Sequence, residues 1–464
     1  MSASRSSGSD VTHTGYRSKS PRFFAVERSF ARLVEYVYGV VVLFLLTQGP
    51  VYKLWEASGR AMEFTPTPSV LQAHAATFVL VQLPAAALFF LRVHRRGLDR
   101  VTTTILAALV GWLTLSTVWS EFARVTVIDA SSLVLTTMVG LYLAQTYTQR
   151  EMLLIVTGAM QIGVGMSLWA VWNDWTLAID PDIGYWIGIY FNRNSLAPPA
   201  AVGAITALAV AWMALRKRTA WTPVWVIVAL VFVAIDVWVV WKSQSSTSVG
   251  AAVVFLIVWV FWAALRWAYN RRIGGAALNR RWVYPAFLAL VAAMTTFILV
   301  FQDSFLRLVG QESRFNSRSQ SWSFSWDGVL DEPLFGWGWM AAWRTRTFFQ
   351  RDGWWDLGDV SWSHSGYFDI LLGGGFIAGA LFLALIVVSG VRLHRIVLVE
   401  PLGQLRYAVA FFVLAAATQE SFFMGTHFLW ALLVWALVPT ADEISREERR
   451  RQSDGRPAAV PSGQ

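Results

Sequence analysis

The chain contains no cysteine, and only 14% of its 464 residues are charged. The first absence excludes thiol nucleophiles, disulfides and cysteine-ligated metal or iron–sulfur centres. The second excludes a soluble globule: with 56% hydrophobic and 15% aromatic residues, too little polar surface is left to cover a water-soluble chain of this size. Histidine is also scarce, six in all and scattered without ligand spacing, so neither a metal nor any other cofactor is predicted. A single basic face for nucleic acid is missing too, despite the net charge of +9. The Lys and Arg sit mostly in short loops between apolar blocks, where they read as topological signals.

Apolar blocks, by contrast, recur throughout, each roughly 17 to 25 residues long, the length a helix needs to cross about 30 Å of hydrocarbon. They fall near residues 34–50, 72–91, 102–119, 127–147, 152–172, 194–215, 222–241, 247–265, 282–301, 366–390, 406–421 and 424–440. The fold class predicted is therefore an all-α polytopic membrane protein of about 12 transmembrane helices, with one large extracytoplasmic loop between helices 9 and 10. Residues 1–33 read as a disordered basic cytoplasmic tail without an apolar signal-peptide core, 34–301 as helices 1–9, 302–365 as the extracytoplasmic catalytic loop, 366–440 as helices 10–12 and 441–464 as a second disordered cytoplasmic tail. Clusters such as Arg92/Arg95/Arg96/Arg100 and Arg271/Arg272/Arg280/Arg281 set the orientation, with both termini on the cytoplasmic side of a bacterial inner membrane.

Many of the 26 tryptophans lie at span ends, as an interfacial belt predicts. Trp322, Trp326, Trp337, Trp339, Trp343, Trp354, Trp355 and Trp362 lie instead within the one large loop, where they form either a small core or a platform for sugar rings and lipid.

That loop carries, in order, Arg314-Phe-Asn-Ser-Arg318, Pro333-Leu-Phe-Gly336-Trp-Gly338, Ser363-His364-Ser-Gly-Tyr367 and, at the start of the next span, Asp369 and Gly373-Gly-Gly375. Arginine forks hold phosphate oxygens bidentately and stay charged, so Arg314, Arg318, Arg344 and Arg346 are candidates for an anionic substrate. His364 falls at a predicted span end, where an imidazole can accept a proton from an attacking hydroxyl; a structural histidine is the alternative. Asp369, on nearly the same helical face, either orients that imidazole or pairs with an arginine. Ionisable residues within spans are costly and therefore functional candidates: Asp129, Asp236, Asp369 and Glu420. Glu420 and His427 flank the turn between the last two spans and either line a cavity or are solvated at the interface. Arg193-Asn194 opens the sixth span, and Lys242-Ser243-Gln-Ser245 precedes the eighth. Their helix N-termini either converge on an anion or are simply capped.

Several of these segments together resemble the O-antigen ligase and polymerase superfamily, nearest its exopolysaccharide-production branch. Trp119-Ser-Glu-Phe-Ala123 is similar to a "WS-x-x-P" turn, with Ala123 for proline. Phe191-Asn-Arg-Asn194-Ser-Leu resembles "F-x-x-N-x-L", and Ser243-Gln-Ser245-Ser-Thr247 resembles "S-x-S-x-T". Arg318, Trp322 and Pro333 to Gly338 look like "GR…W…P-x-x-G-x-G", with Ser317 for the glycine; Ser365 replaces the asparagine of an "H-N-x-Y/F-L" element, and Glu420-Ser421 matches a late "E-S" pair.

The resemblance implies metal-independent, inverting glycosyl transfer at the outer leaflet, from an undecaprenyl-diphosphate-linked glycan to a hydroxyl of a polysaccharide, lipid or protein acceptor. His364 would be the base or acceptor-positioning residue and Arg318 a diphosphate ligand. Ser246 and Thr247 stand where many ligases carry a second arginine, and Arg193, Lys242 or Arg314 are the candidates to supply that charge. A polymerase joining repeat units on the lipid carrier is the nearest alternative. A twelve-span polysaccharide or lipid transporter and a non-catalytic scaffold are the alternatives from other classes. No half-to-half similarity of the transporter kind is visible in the chain.

Overall fold

The computed structural model describes residues 22–52, 68–91, 97–175, 177–270, 315–345, 362–397, 402–423 and 425–454. Among them the chain is helical, with isolated β-bridges joining Leu98 to Thr440 and Ile179 to Trp186. The helices are α1 (Arg22–Leu46), α2 (Pro68–Leu91), α3 (Arg100–Leu115, continued by the turn Ser116–Val118), α4 (Ala123–Thr146), α5 (Gln149–Trp172), α6 (Arg193–Lys217), α7 (Thr222–Ser243), α8 (Ser246–Asn270), α9 (Phe315–Asp331), α10 (Gly366–Val397), α11 (Gly403–Ala416), α12 (Phe428–Leu437) and α13 (Ala441–Asp454).

Seven of them, α3 to α8 and α10, have the length and apolar content to cross a bilayer. Phe78–Leu91, Gly403–Ala416 and Phe428–Leu437 are shorter apolar helices. The described residues are thus helical, with the several apolar spans of a multi-pass membrane protein, as hydropathy predicts. The expected ninth span, 282–301, lies outside the described residues. The expected last span, 424–440, differs: its helix has 10 residues and is about 15 Å long, because the turn through Gly425 and Thr426 occupies its first part.

Local sequence explains the boundaries. Thr148 and Glu151 close a capping box on α5, Asp99 caps α3, and Asn192 caps α6 by accepting from the Ser195 amide at 2.9 Å. Helix α12 is apolar all round and buried along its whole length, so it forms the centre of the bundle, packed on α4 and α11. On α7 the opposite holds: Trp225, Ile227, Leu230 and Val231 are exposed, as lipid-facing side chains are.

Two segments read from sequence as tails are partly ordered. Residues 22–33 are helical, and residues 441–454, expected to be disordered, form α13. Buried Glu443 explains the second case. It accepts from the Thr440 amide (2.8 Å) and from Gln149 (3.0 Å) and lies 3.5 Å from Arg406, itself 1% exposed.

Helix α10 is broken at Gly375, whose φ of 65° and ψ of −165° are accessible essentially to glycine alone. The loop after α9 takes up the backbone groups released by the break. Trp337 donates its amide to Leu372 O (2.7 Å), Phe376 donates to Pro333 O (2.7 Å) and the Trp112 indole donates to Gly374 O (2.8 Å). The approach is close: a Cβ on Gly336 would lie 2.6 Å from the Leu372 carbonyl oxygen. The same loop rests on the turn after α3, where the Trp119 indole donates to Phe335 O (3.2 Å) and the Trp339 amide to Ser116 Oγ (2.8 Å).

Candidate functional site

The N-termini of α6, α8, α9 and α10 meet the turn between α11 and α12 at one end of the bundle. That turn carries Glu420 and is joined to α10 by main chain, the Gly366 amide donating to Ala417 O (2.9 Å) and Glu420 O (3.1 Å).

Glu420 is the hub. Its Oε1 accepts from Arg318 Nη2 at 2.7 Å and from Asn194 Nδ2 at 2.6 Å, and its Oε2 lies 3.3 Å from His364 Nδ1. Ser245 donates to Asn194 Oδ1 at 3.0 Å, which brings the start of α8 into the same network. Arg318 divides its fork, giving Nη1 to Gln419 Oε1 at 2.7 Å, with Thr247 Oγ1 3.5 Å away. The side chains of Arg318, Glu420 and His364 are 19%, 11% and 26% exposed, so the cluster is open on one side while its ion pair is largely desolvated.

His364 is held in the left-handed region, φ 50°. A histidine there is uncommon, and such strain concentrates at functional positions. A serine clasp maintains it: Ser363 Oγ accepts from the Ser365 amide (3.1 Å) and lies 2.9 Å from the Ser365 carbonyl oxygen. The Trp362 indole donates to His364 Nδ1 at 3.0 Å.

Arg318, His364, Asn194, Ser245 and Glu420, picked from separate parts of the sequence, are therefore brought together. The other candidates are placed differently. Asp369 accepts from Ser363 Oγ at 2.6 Å and so orients the residue before His364, not the imidazole as sequence spacing suggested. Ser243 is buried and donates to its own helix at Val240 O. Lys242 lies over the rings of Trp241 and Trp186, at 5.2 and 5.9 Å. Arg193 lies 4.8 Å over Tyr185 and donates to Gln244 O at 3.4 Å, beside the network. Arg344 pairs with Asp129 at 3.4 Å, which gives both a structural partner, while Arg314 and Arg346 lie outside the described residues. For the α6 terminus, capping by Asn192 accounts for the helix start, and Asn194 is turned to Glu420.

Sequence reading passed over Gln419, Thr247 and Trp362 as site residues. Each adjoins a residue it did pick or a motif it quoted, but an amide, a hydroxyl and an indole carry no charge or span-interior cost to mark them. The loop tryptophans are placed differently from one another. Trp339 is fully buried in the bundle core and Trp343 packs on Phe324, whereas Trp326 is exposed and Trp362 serves His364. Trp354 and Trp355 lie outside the described residues.

Chemically, the cluster offers a guanidinium able to bind an anion, an imidazole able to move a proton, and a carboxylate linking them. No curated protein matches the chain. Residues 237–383 match the family model described as O-antigen ligase. The matched stretch holds Ser245, Arg318 and His364 but not Asn194 or Glu420, and it does not select a branch of the family. Over that stretch, about a third of its length, the chain is similar to the O-antigen ligase family, and its multi-pass helical fold is in keeping with that likeness.

Proposed function

We propose that this protein transfers a glycan from an undecaprenyl-diphosphate carrier to an acceptor hydroxyl at the outer leaflet of a bacterial inner membrane, in cell-surface polysaccharide biosynthesis. The observation carrying this reading is the convergence of Arg318, Glu420, Asn194, Ser245 and His364 at one end of the bundle.

A diphosphate is already a good leaving group. The protein must therefore position the acceptor, offset charge developing on the phosphate and keep water from the anomeric carbon. His364 takes the proton from the acceptor hydroxyl as the new glycosidic bond forms, and the bond from the anomeric carbon to the diphosphate breaks with inversion. Arg318 stabilises the departing diphosphate without a metal ion. Asn194 and Ser245 hold Glu420 and the ends of α6 and α8 in register, while Arg193, Lys242 or Arg314 supplies the second positive charge. Both chain termini lie on the cytoplasmic side, and the loop between α8 and α10 that carries α9 faces outward as the catalytic loop.

The test is glycan transfer by the purified protein in nanodiscs, given an undecaprenyl-diphosphate oligosaccharide, a hydroxyl acceptor and no added metal. Wild type should transfer, whereas His364→Ala and Arg318→Ala, checked for folding, should each lose at least about 100-fold. Transfer undiminished in both variants would overturn the assignment. The product separates the two enzymatic readings, because a polymerase lengthens the glycan on its lipid carrier and a ligase releases it onto the acceptor.

A further inference from the structure

One ring nitrogen of His364 faces two partners with opposite demands. The Trp362 indole N–H, which can only donate, lies 3.0 Å from Nδ1. Glu420 Oε2, which can only accept when ionised, lies 3.3 Å from the same atom. A neutral imidazole carries one ring proton. With the proton on Nε2, Nδ1 accepts from Trp362 and presents a lone pair to Glu420. With the proton on Nδ1, it donates to Glu420 and leaves the Nε2 lone pair free. Both contacts cannot be hydrogen bonds in one neutral tautomer. The two forms also differ in use, since the first turns an N–H outward and the second a base. The serine clasp and the left-handed backbone at His364 anchor the ring between its two claimants.

The balance depends on how far Glu420 is compensated. Here Arg318 and Asn194 both hold its Oε1, which weakens its pull on the imidazole, and Trp362 has the shorter contact. An anion that draws Arg318 to itself removes compensation from a largely desolvated carboxylate, where a lost partner matters most.

We propose that Glu420 is a positioning residue that competes with Trp362 for the tautomer of His364, and that a diphosphate engaging Arg318 tips this competition so that Nε2 becomes a base only when the donor is bound. Water or a stray hydroxyl is then not activated in the empty site. The identity of the anion rests on the glycosyl-transfer reading; the competition between Trp362 and Glu420 does not.

The experiment uses the full-length protein, labelled with nitrogen-15 histidine, in nanodiscs at about pH 8, where imidazoles are ordinarily neutral. Nitrogen shifts distinguish protonated from bare ring nitrogens, and the His364 pair is the one missing from His364→Asn. Wild type should be mainly the Nε2–H form. Trp362→Phe should invert the ratio by about tenfold with no ligand, the effect of one hydrogen bond lost. Inorganic pyrophosphate should move wild type the same way and leave Glu420→Gln unmoved. An unchanged tautomer in Trp362→Phe overturns the competition whatever the substrate. If pyrophosphate broadens the phosphorus-31 signal yet leaves His364 unmoved, the coupling to the donor is overturned. If that signal shows no binding at all, the diphosphate reading of Arg318 fails while the competition stands.

Discussion

Asn194 donates its amide N–H to Glu420 and accepts at its carbonyl from the Ser245 hydroxyl, so both ends of one short side chain are engaged in a partly buried site. Asn194→Ala leaves the Glu420 oxygen with Arg318 alone and should lower the transfer rate by about tenfold, the effect of one partner lost at a desolvated carboxylate. Asn194→Asp keeps the shape but sets a second carboxylate against Glu420, and should lose clearly more. Parallel rate and folding measurements on the two variants check this. If the aspartate variant is the more active, Asn194 matters for its volume rather than its hydrogen bonds. At this scale the sequence was informative for charged residues, because Glu420 is expensive within a span and Arg318 offers a fork for an anion, so both draw notice. It was silent about which partner each charge would take: Asp369 met Ser363, and Arg344 met Asp129.

Among the elements, the break in α10 is the most sensitive to substitution. A Cβ on Gly375 would fall inside the Leu334 carbonyl, and the residue's backbone angles are ones that an L side chain avoids. Gly375→Ala should destabilise by roughly 2 kcal/mol or more. Gly111→Ala, with nothing within 4 Å of the new methyl group, should leave the melting temperature in detergent unchanged or higher. Equal losses in the two variants would show that the break tolerates repair. The apolar blocks announced the helices in the sequence. What they did not announce was the exchange of hydrogen bonds between Pro333–Trp337 and the broken helix, since backbone partners far apart in the chain leave no composition signal. The same limit hid the meeting of Trp119 with Phe335, two motifs that sit on each other only once folded.

Across the molecule, α13 is held at the opposite end of the bundle by the pairing of Glu443 with Arg406. Burial raises the Glu443 carboxyl, but the Arg406 charge and hydrogen bonds from Thr440 and Gln149 outweigh it and leave the group below its ordinary range. A depressed carboxylate stabilises the fold fully above its unfolded value of about 4.3 and loses that contribution as pH falls through the folded one. The protection of residues 441–454 against hydrogen exchange, relative to the unstructured rate at the same pH, should therefore fall in acid below about pH 4 in wild type, and in Glu443→Gln should be low already at neutral pH; protection independent of both would refute the clamp. The chain's tail-like composition concealed this helix because a buried carboxylate and main-chain bonds from Ala441 to Gly97 and from Asp99 to Pro439, which leave no composition signal, fasten its start. The same accounting of fixed and loose ends applies to α9. Its C-terminal end is pinned by the main-chain bonds at Leu372 and Phe376, whereas Arg318, near its other end, is held by side chains. The helix is thus a lever about 20 Å long from its fulcrum to Arg318, and a tilt of roughly 6° would carry the guanidinium about 2 Å, enough to part it from Glu420 and Gln419 together and to stretch the bond from Ser321 to the Trp362 carbonyl oxygen.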